Sequence, residues 1–384
     1  ASMPHSSSFH HRWSPCVLLV LLSVAFSHAT EAARLRLGSH ELVIEKNERE
    51  HNTQNKDPSF PAITAENNNP VFRAVTADVP TIAIGVDAYG KAVDLPLVGS
   101  GSWQYNDTIA YESVCKAIQA GYTFVDTAWN YKNQKGVGKA LQDCWFGSGK
   151  SREDLFLMTK IPGGLNTSEV WEAHQQNLKD LQLDYVDHLM THFPADWKQT
   201  VASPEARQEE WKALEFIYRT GQARSIGVSH YCTQHLEDIL KVATVMPSIN
   251  QVEYHVGSQD IDHVMSYCAD HNITFMSFSP LCGPCEYEPK DSLIHGDLVT
   301  EIASHYSGSS PHLPLEPGTD TIAGSQVALR YIVQQGIPVI PKSNTLSHML
   351  SNRDIFGFEL TQEDMDALAG ASKPAAEGGD CDVP

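Results

Sequence analysis

Between residues 80 and 370, short apolar segments rich in β-branched residues alternate with longer segments that carry the hydrophobic spacing of amphipathic helices. Apolar runs of roughly four to eight residues are typical of buried strands, and apolar positions that recur every three or four residues are typical of helices. Glycine marks the predicted end of two helices, at Gly121 and Gly221. The predicted strands are VGSGSW, TFVDT, DLFLMTK, YVDHLMTH, SIGVSH, INQVEYH, TFMSFSP and PVIPKS.

This alternation predicts an α/β fold, a (β/α)8 TIM barrel. Eight strand–helix units without a break in composition favour a closed parallel barrel over an open sheet. Two further apolar segments, TIAIGV and DLPLVGSGSW, flank the turn DAYGKA and predict an N-terminal β-hairpin. We also expect extra loops, including the Pro- and Gly-rich segment 307–325, and a short C-terminal tail.

The first 78 residues are predicted to lie outside the barrel. Residues 17–26, VLLVLLSVAF, form an unbroken apolar run behind His10, His11 and Arg12, which is typical of a secretory signal peptide, although a buried helix is an alternative. The predicted organisation is a signal or targeting peptide (1–29), a polar and largely disordered linker or pro-segment (30–78), a barrel (79–370) and a flexible tail (371–384). The leader predicts entry into the secretory pathway. The final location of the protein is left open: the alternatives are secretion, the ER lumen and a plastid reached through a two-part leader.

Charge and composition narrow the classes of partner. The formal net charge of −20 argues against a nucleic-acid or anionic-membrane surface, and an apolar fraction of 41% supports a folded core. We expect a small-molecule substrate, no nucleic acid, no stable membrane span and a monomer.

Four residues carry candidate chemistry: Asp126, Tyr131, Lys160 and His192, within VDTAWNY, LFLMTK and DHLMTHFP. A free phenol is a poor acid at neutral pH because its pKa is roughly 10. A nearby ammonium, held by a carboxylate, favours the phenolate and so makes the phenol a better proton donor. A histidine beside the same oxygen orients a carbonyl group. These residue types are those needed to protonate a C=O group as it is reduced, and they lie near the carboxyl ends of predicted strands, where barrels build active sites.

The motifs resemble those of the aldo-keto reductase family. GYTFVDTAWNYKNQKGVGKAL (121–141) is similar to the first family signature, and IGVSHY, NQVEYH, FSPL and IPVIPKSNTLSHMLSN follow in the family's order. The resemblance spans residues 79–370. It implies a hairpin that closes the bottom of the barrel, a nicotinamide cofactor, no metal, and reduction of aldehydes or ketones to alcohols with Tyr131 as general acid.

The resemblance also implies the contacts of the nicotinamide end of the cofactor. The carboxamide would be held by Ser229, His230 and Gln251, and the family usually has Asn where this chain has His230. Phe278 stands where the family has an aromatic residue that stacks on the nicotinamide, and stacking needs only a ring face. The loop over the pyrophosphate is matched by Ser279 and Leu281.

The adenosine end is matched by Lys342, Ser343 and Asn344 under the 2′-phosphate and by Asn352 near the adenine. His348 stands where the family commonly has an Arg that clamps this phosphate, and a neutral imidazole suits phosphate less well than a guanidinium fork. We therefore expect NADPH as the cofactor, with NADH as the alternative.

Three aromatic residues, Trp103, Trp129 and Phe193, match lining positions of the family's substrate pocket and predict an apolar mouth, although each is also compatible with plain packing. Cys282 and Cys285 form a Cys-Gly-Pro-Cys sequence in the expected cofactor-covering loop. They are a candidate redox pair, with two reduced thiols as the preferred alternative. The overall expectation is an NADP-dependent oxidoreductase of the aldo-keto reductase type. The alternatives are a cofactor-binding regulatory module of the same fold with little turnover and a structural protein derived from an enzyme.

Overall fold

The computed structural model describes residues 78–196, 198, 200–201, 203–282, 292–307 and 322–371. The predicted leader, nearly all of the predicted linker, Cys285, most of the Pro- and Gly-rich segment and the tail lie outside these ranges.

The described part begins with the predicted hairpin. Strands β1 (Thr81–Val86) and β2 (Ala92–Pro96) pair antiparallel around a turn in which Asp87 accepts hydrogen bonds from the backbone N–H groups of Tyr89 (3.0 Å) and Lys91 (2.9 Å). Gly90 supplies the positive φ of 80° that this turn requires. Ile84, Val93 and Leu95 pack into the apolar interior of the barrel, so the hairpin closes one end of it.

Seven parallel strands follow in chain order, each hydrogen-bonded to the next. They are β3 (Ser100–Gly101), β4 (Phe124–Asp126), β5 (Phe156–Ile161), β6 (Val186–Thr191), β7 (Ala223–Ser229), β8 (Ile249–Glu253) and β9 (Thr274–Phe278). The predicted eighth strand is reduced to two parallel bridges that join Val339 to Val98 and to Ser277. These bridges close the ring, and the predicted (β/α)8 barrel is confirmed.

Helices cover the outside of the barrel. They are α1 (Asp107–Gln119), α2 (Gln134–Ala140), α3 (Thr167–Leu181), α4 (Pro204–Thr220), α5 (Thr233–Leu240), α6 (Val264–Asp270), α7 (Ser292–His295), α8 (Asp297–Tyr306), α9 (Gly324–Val333), α10 (Leu346–Arg353) and α11 (Gln362–Ala369). Local sequence sets several of their ends. The side chain of Ser203 caps α4 and Pro204 begins it, while Gly221 ends it in the left-handed conformation, as predicted. None of the helices in the described ranges is long and apolar enough to cross a membrane.

Strand alternation places the candidate residues at one level of the barrel. Successive side chains of a strand point to opposite faces, so residues two apart share a face. Phe124, Met158, Met190, Ile249 and Met276 belong to the buried interior cluster. The residue two positions beyond each of these is, in the same order, Asp126, Lys160, His192, Gln251 and Phe278. Four polar side chains and the ring of Phe278 therefore form one layer next to the apolar interior of the barrel.

The cysteines are more oxidised than the sequence indicates. A disulfide joins Cys115 on α1 to Cys144 in the π-helical segment Leu141–Trp145, with 5.5 Å between the Cα atoms. Closing a loop of 29 residues stabilises the fold by about 3 to 4 kcal/mol in the chain-entropy account. Cys282 is also disulfide-bonded, so its interpretation as a reduced thiol is wrong. The redox pair with Cys285 stays a prediction because Cys285 lies outside the described residues.

Candidate active site

A buried ion pair forms the base of the site. Nζ of Lys160, on β5, lies 2.8 Å and 2.6 Å from the two carboxylate oxygens of Asp126, at the end of β4. Both side chains are almost fully buried. Burial lowers the pKa of Lys160, while the charge and hydrogen bonds of Asp126 act in the opposite direction. Without this partner an ammonium at the end of an apolar strand would be costly, so the pair explains how the fold tolerates Lys160.

Tyr131 is carried to this pair by a short 3₁₀ turn, Trp129–Tyr131, directly after β4. Its hydroxyl lies 3.4 Å from Nζ of Lys160. The turn is fixed by Asn133, a fully buried side chain whose amide donates to the carbonyls of Ser102 (2.8 Å) and Tyr105 (3.0 Å). Sequence reasoning missed Asn133. Its only signal was an asparagine between a strand and a helix, which is common at helix starts.

The acidity of Tyr131 differs from the expectation. Burial, and then the negative charge of Asp126, raise the pKa of Tyr131 well above its usual value of 10.0. The effect expected from Lys160 is outweighed by the removal of the phenol from water. Tyr131 therefore stays protonated at neutral pH, and the ammonium at 3.4 Å is placed to stabilise a phenolate once the proton has left.

His192 follows directly after β6 and lies next to Tyr131. Its ring is 5.5 Å from that of Tyr131 in an edge-on arrangement, and it stacks on Phe193 at 4.5 Å. Burial, followed by the charge of Lys160, lowers the pKa of His192 well below its usual value. Among the described residues its Nδ1 has no hydrogen-bond partner. A neutral imidazole has one N–H to donate, which suits the oxygen of a carbonyl group.

The residues matched to the nicotinamide lie around this centre. Ser229 donates to the backbone carbonyl of Gln251 at 2.9 Å. His230 has a left-handed backbone, φ 62°, and its ring packs between those of Phe193 (4.6 Å) and Phe278 (4.7 Å). Burial, and then Lys160, lower the pKa of His230 to about 3, so this ring is neutral as well. The three rings form an aromatic wall beside His192.

The residues matched to the adenosine phosphate lie on one segment after Val339. Nζ of Lys342 bonds to the side-chain oxygen of Gln104 at 2.7 Å. The carbonyls of Ser343 and Asn344 accept from Ser113 (2.8 Å) and Lys116 (2.9 Å), both on α1. His348 is exposed near the start of α10, and Asn352 is buried in its last turn.

The other residues matched to the family lie in the loop after β9 or are partly exposed aromatic residues. Ser279 has a left-handed backbone, φ 49°, and Leu281 is half-buried, after which the chain leaves the described residues at 283. Trp103 is 42% exposed, and Nζ of Lys132 lies 2.9 Å from the ring centre of half-buried Trp129. Within the described part of the chain, no group of His, Cys, Asp and Glu side chains could hold a metal ion.

A buried carboxyl group, Glu210 on α4, lies behind this site and was not singled out from the sequence. The backbone N–H of Leu165 donates to it at 3.5 Å, and the hydroxyl of Thr191, next to His192, also interacts with it. Burial raises the pKa of Glu210 from 4.5 to about 8. The sequence pattern does not mark Glu210 as a site residue, because an acidic residue on an amphipathic helix is usually exposed.

Glu210→Gln should change how stability depends on pH. Between the unfolded and folded pKa values the unfolded chain loses this proton and the folded chain keeps it, so rising pH destabilises the folded state. The variant lacks this effect. We expect its stability relative to the original protein to increase by about 3 kcal/mol between pH 5 and pH 8. Urea denaturation at the two pH values measures this difference, and parallel stability curves would contradict the assignment.

Comparison with known proteins identifies the family. Residues 97–294 match the model of the Aldo/keto reductase family. The chain belongs to the aldo/keto reductase family. It is 34% identical to glyoxal reductase of Bacillus subtilis over 75% of this chain and 93% of that protein. It is 31% identical to the NAD(P)H-dependent D-xylose reductase of Scheffersomyces stipitis over 72% of this chain and 90% of that protein.

A solved structure supports the same assignment. An aldo/keto reductase from Brucella melitensis superposes with a TM-score of 0.63 and 31% identity, over 76% of this chain and 99% of that one. The protein is therefore an oxidoreductase of the aldo/keto reductase family.

Proposed function

We propose that this protein reduces aldehydes or ketones to alcohols with NADPH, and that Tyr131 donates the proton. The observation that carries the proposal is the position of Nζ of Lys160, 2.6 Å from Asp126 and 3.4 Å from the hydroxyl of Tyr131. The ring of neutral His192 lies 5.5 Å from that of Tyr131. This arrangement suits a carbonyl oxygen that gains negative charge during the reaction.

The residues present fit a nicotinamide cofactor. Phe278 offers a half-buried ring face, and Ser229 and Gln251 offer a hydroxyl and an amide at the same level. The exposed ammonium of Lys342, followed by the start of α10, suits a phosphate group. Once bound, the reduced nicotinamide would supply the hydride. His192 would donate to the carbonyl oxygen and fix its direction, Tyr131 would pass its proton to that oxygen, and Lys160 would stabilise the phenolate.

The substrate class follows from the wall and from the relatives. Phe193 stacks on His192, which lies next to the proton donor, and the neutral ring of His230 packs against Phe193. Such a wall favours planar carbonyl compounds, and the relative named as a glyoxal reductase is consistent with a small dicarbonyl.

An assay of carbonyl-dependent oxidation of the cofactor tests the proposal. Glyoxal, D-xylose and an aromatic aldehyde would each be offered with NADPH and with NADH. We expect turnover with at least one carbonyl compound and a preference for NADPH. Binding of NADPH without turnover across the panel would favour a cofactor-binding module instead.

His348→Arg should strengthen the binding of NADPH more than that of NADH. A guanidinium adds a fixed charge and a fork of donors for a 2′-phosphate, and we expect roughly a tenfold lower Kd for NADPH, about 1.4 kcal/mol, with less than a twofold change for NADH. Fluorescence titration measures both constants. Equal changes for the two cofactors would show that position 348 does not face the 2′-phosphate.

A further inference from the structure

One contact at the centre of the site has no counterpart in the proposed mechanism. The side-chain amide nitrogen of Gln251, on β8, lies 3.2 Å from Oδ2 of Asp126, on β4. Both side chains are almost fully buried. The other described neighbours of this nitrogen are the sulfur atoms of Met158 (3.3 Å) and Met276 (3.7 Å), which are weak acceptors. Asp126 is therefore the strongest described acceptor within reach of the amide.

Asp126 and Tyr131 compete for the same ammonium. Lys160 has three N–H groups. Its nitrogen lies 2.6 Å and 2.8 Å from the carboxylate oxygens, but 3.4 Å from both the Tyr131 hydroxyl and the Thr127 carbonyl. A stronger attraction to Asp126 holds the ammonium nearer the carboxylate and leaves it a weaker contact with the Tyr131 hydroxyl.

We propose that Gln251 is a positioning residue: by donating to Oδ2 of Asp126, it weakens the hold of this carboxylate on Lys160 and leaves the ammonium closer to Tyr131. The inference rests on the proposed function, because it concerns the proton donor of that reaction. A hydrogen bond to a carboxylate in a low-dielectric interior is stronger than the same bond in water. Replacing this donor strengthens the negative field of Asp126 at the phenol.

The charged groups in this interior are few. Among the described residues near this interior, besides Asp126, Lys160 and Tyr131, are the titratable side chains of His188, His192 and His230, and burial lowers the pKa of all three. They stay neutral at neutral pH. The field at Tyr131 is consequently set by the ion pair and by the dipoles that touch it, of which the Gln251 amide is one.

This role is separable from a contact with the cofactor. An amide carries two N–H groups and one oxygen, so Gln251 can donate to Asp126 and still bind a nicotinamide carboxamide. A residue that served the carboxamide alone would affect the affinity for the cofactor. A residue that also positions Lys160 affects proton donation, and these two effects appear in different measurements.

Two substitutions separate the roles. Gln251→Met removes the donor and places an apolar side chain beside Met158 and Met276. We expect kcat to fall roughly tenfold and its alkaline limb to move to higher pH, because the phenol becomes a weaker acid. Gln251→Glu puts two carboxyl groups together, which raises the pKa of one of them. Its protonated form still donates, so we expect nearly full kcat at acidic pH and a progressive loss as the pH rises. Met276→Leu, which touches the same amide, is the control and should leave kcat unchanged.

A readout without turnover completes the test. The effects of Gln251→Met and Asp126→Asn on the free energy of unfolding should be non-additive, since the two side chains share one hydrogen bond. Additive effects, or a weaker cofactor affinity with unchanged kcat and pH profile in Gln251→Met, would overturn the inference. Absence of carbonyl reduction by the original protein would instead refute the proposed function, and the unfolding experiment would still decide whether the contact exists.

Discussion

Tyr131→Phe is expected to lower kcat by about 100- to 10,000-fold and to change the affinity for NADPH by less than about twofold. The substitution removes one hydroxyl, which lies 3.4 Å from Nζ of Lys160, and leaves the ring that packs edge-on against His192. Cofactor binding should survive because the matched cofactor residues lie on other segments of the chain. Steady-state kinetics and fluorescence titration of NADPH measure the two quantities.

The control for this variant is Tyr111→Phe. Tyr111 lies on α1, away from the site, and its hydroxyl bonds to Asp143 at 3.1 Å. The Tyr111→Phe substitution also removes one phenol hydroxyl and should leave kcat within about twofold of the value of the original protein. If both variants retained most of the turnover of the original protein, the proton would have to come from a group other than Tyr131.

Lys160→Met is expected to abolish measurable turnover and to destabilise the fold by about 3 to 5 kcal/mol. The loss of stability arises because Asp126, almost fully buried, would keep its charge without the ammonium that now lies at 2.6 Å. Gln251 donates to this carboxylate and offsets only part of the loss. Denaturation in urea gives the free energy of unfolding, and the same preparation gives kcat.

The double substitution Asp126→Leu with Lys160→Met separates stability from catalysis. Both charges are gone, and an apolar pair of similar size often packs as well as a buried ion pair. We expect the double variant to recover most of the stability lost in Lys160→Met without any turnover. A double variant as unstable as Lys160→Met would show that stability at these two positions depends on more than the attraction between the two charges. Recovered turnover would remove the pair from the mechanism.

The main features of the fold were accessible from the sequence because they depend on local patterns. Strand alternation alone places Asp126 two residues beyond Phe124 and Lys160 two beyond Met158, so both face the barrel interior. Gly221 ends α4 because a left-handed residue is needed there. The eighth strand was predicted as a full unit, but Val339 contributes only single bridges, one to Val98 and one to Ser277.

Features that depend on distant segments could not be predicted in this way. The contact of Gln251 with Asp126 joins residues 125 positions apart, and the Cys115–Cys144 pairing cannot be chosen from cysteine spacing alone. The direction of the pKa shift of Tyr131 depends on how much water the surrounding loops exclude, which is a property of the packed site. The same reason applies to Glu210, whose burial is invisible in the pattern of its helix.

In the proposed reaction, a carbonyl carbon takes up hydride in this site. The most direct measurement uses NADPH that carries deuterium at the transferable position of C4, glyoxal as the substrate, and mass spectrometry of the alcohol formed. We expect one deuterium atom on the new carbinol carbon with the original protein, and far less labelled product with Tyr131→Phe. Alcohol without deuterium, or labelled alcohol formed equally fast by the Tyr131→Phe variant, would contradict it.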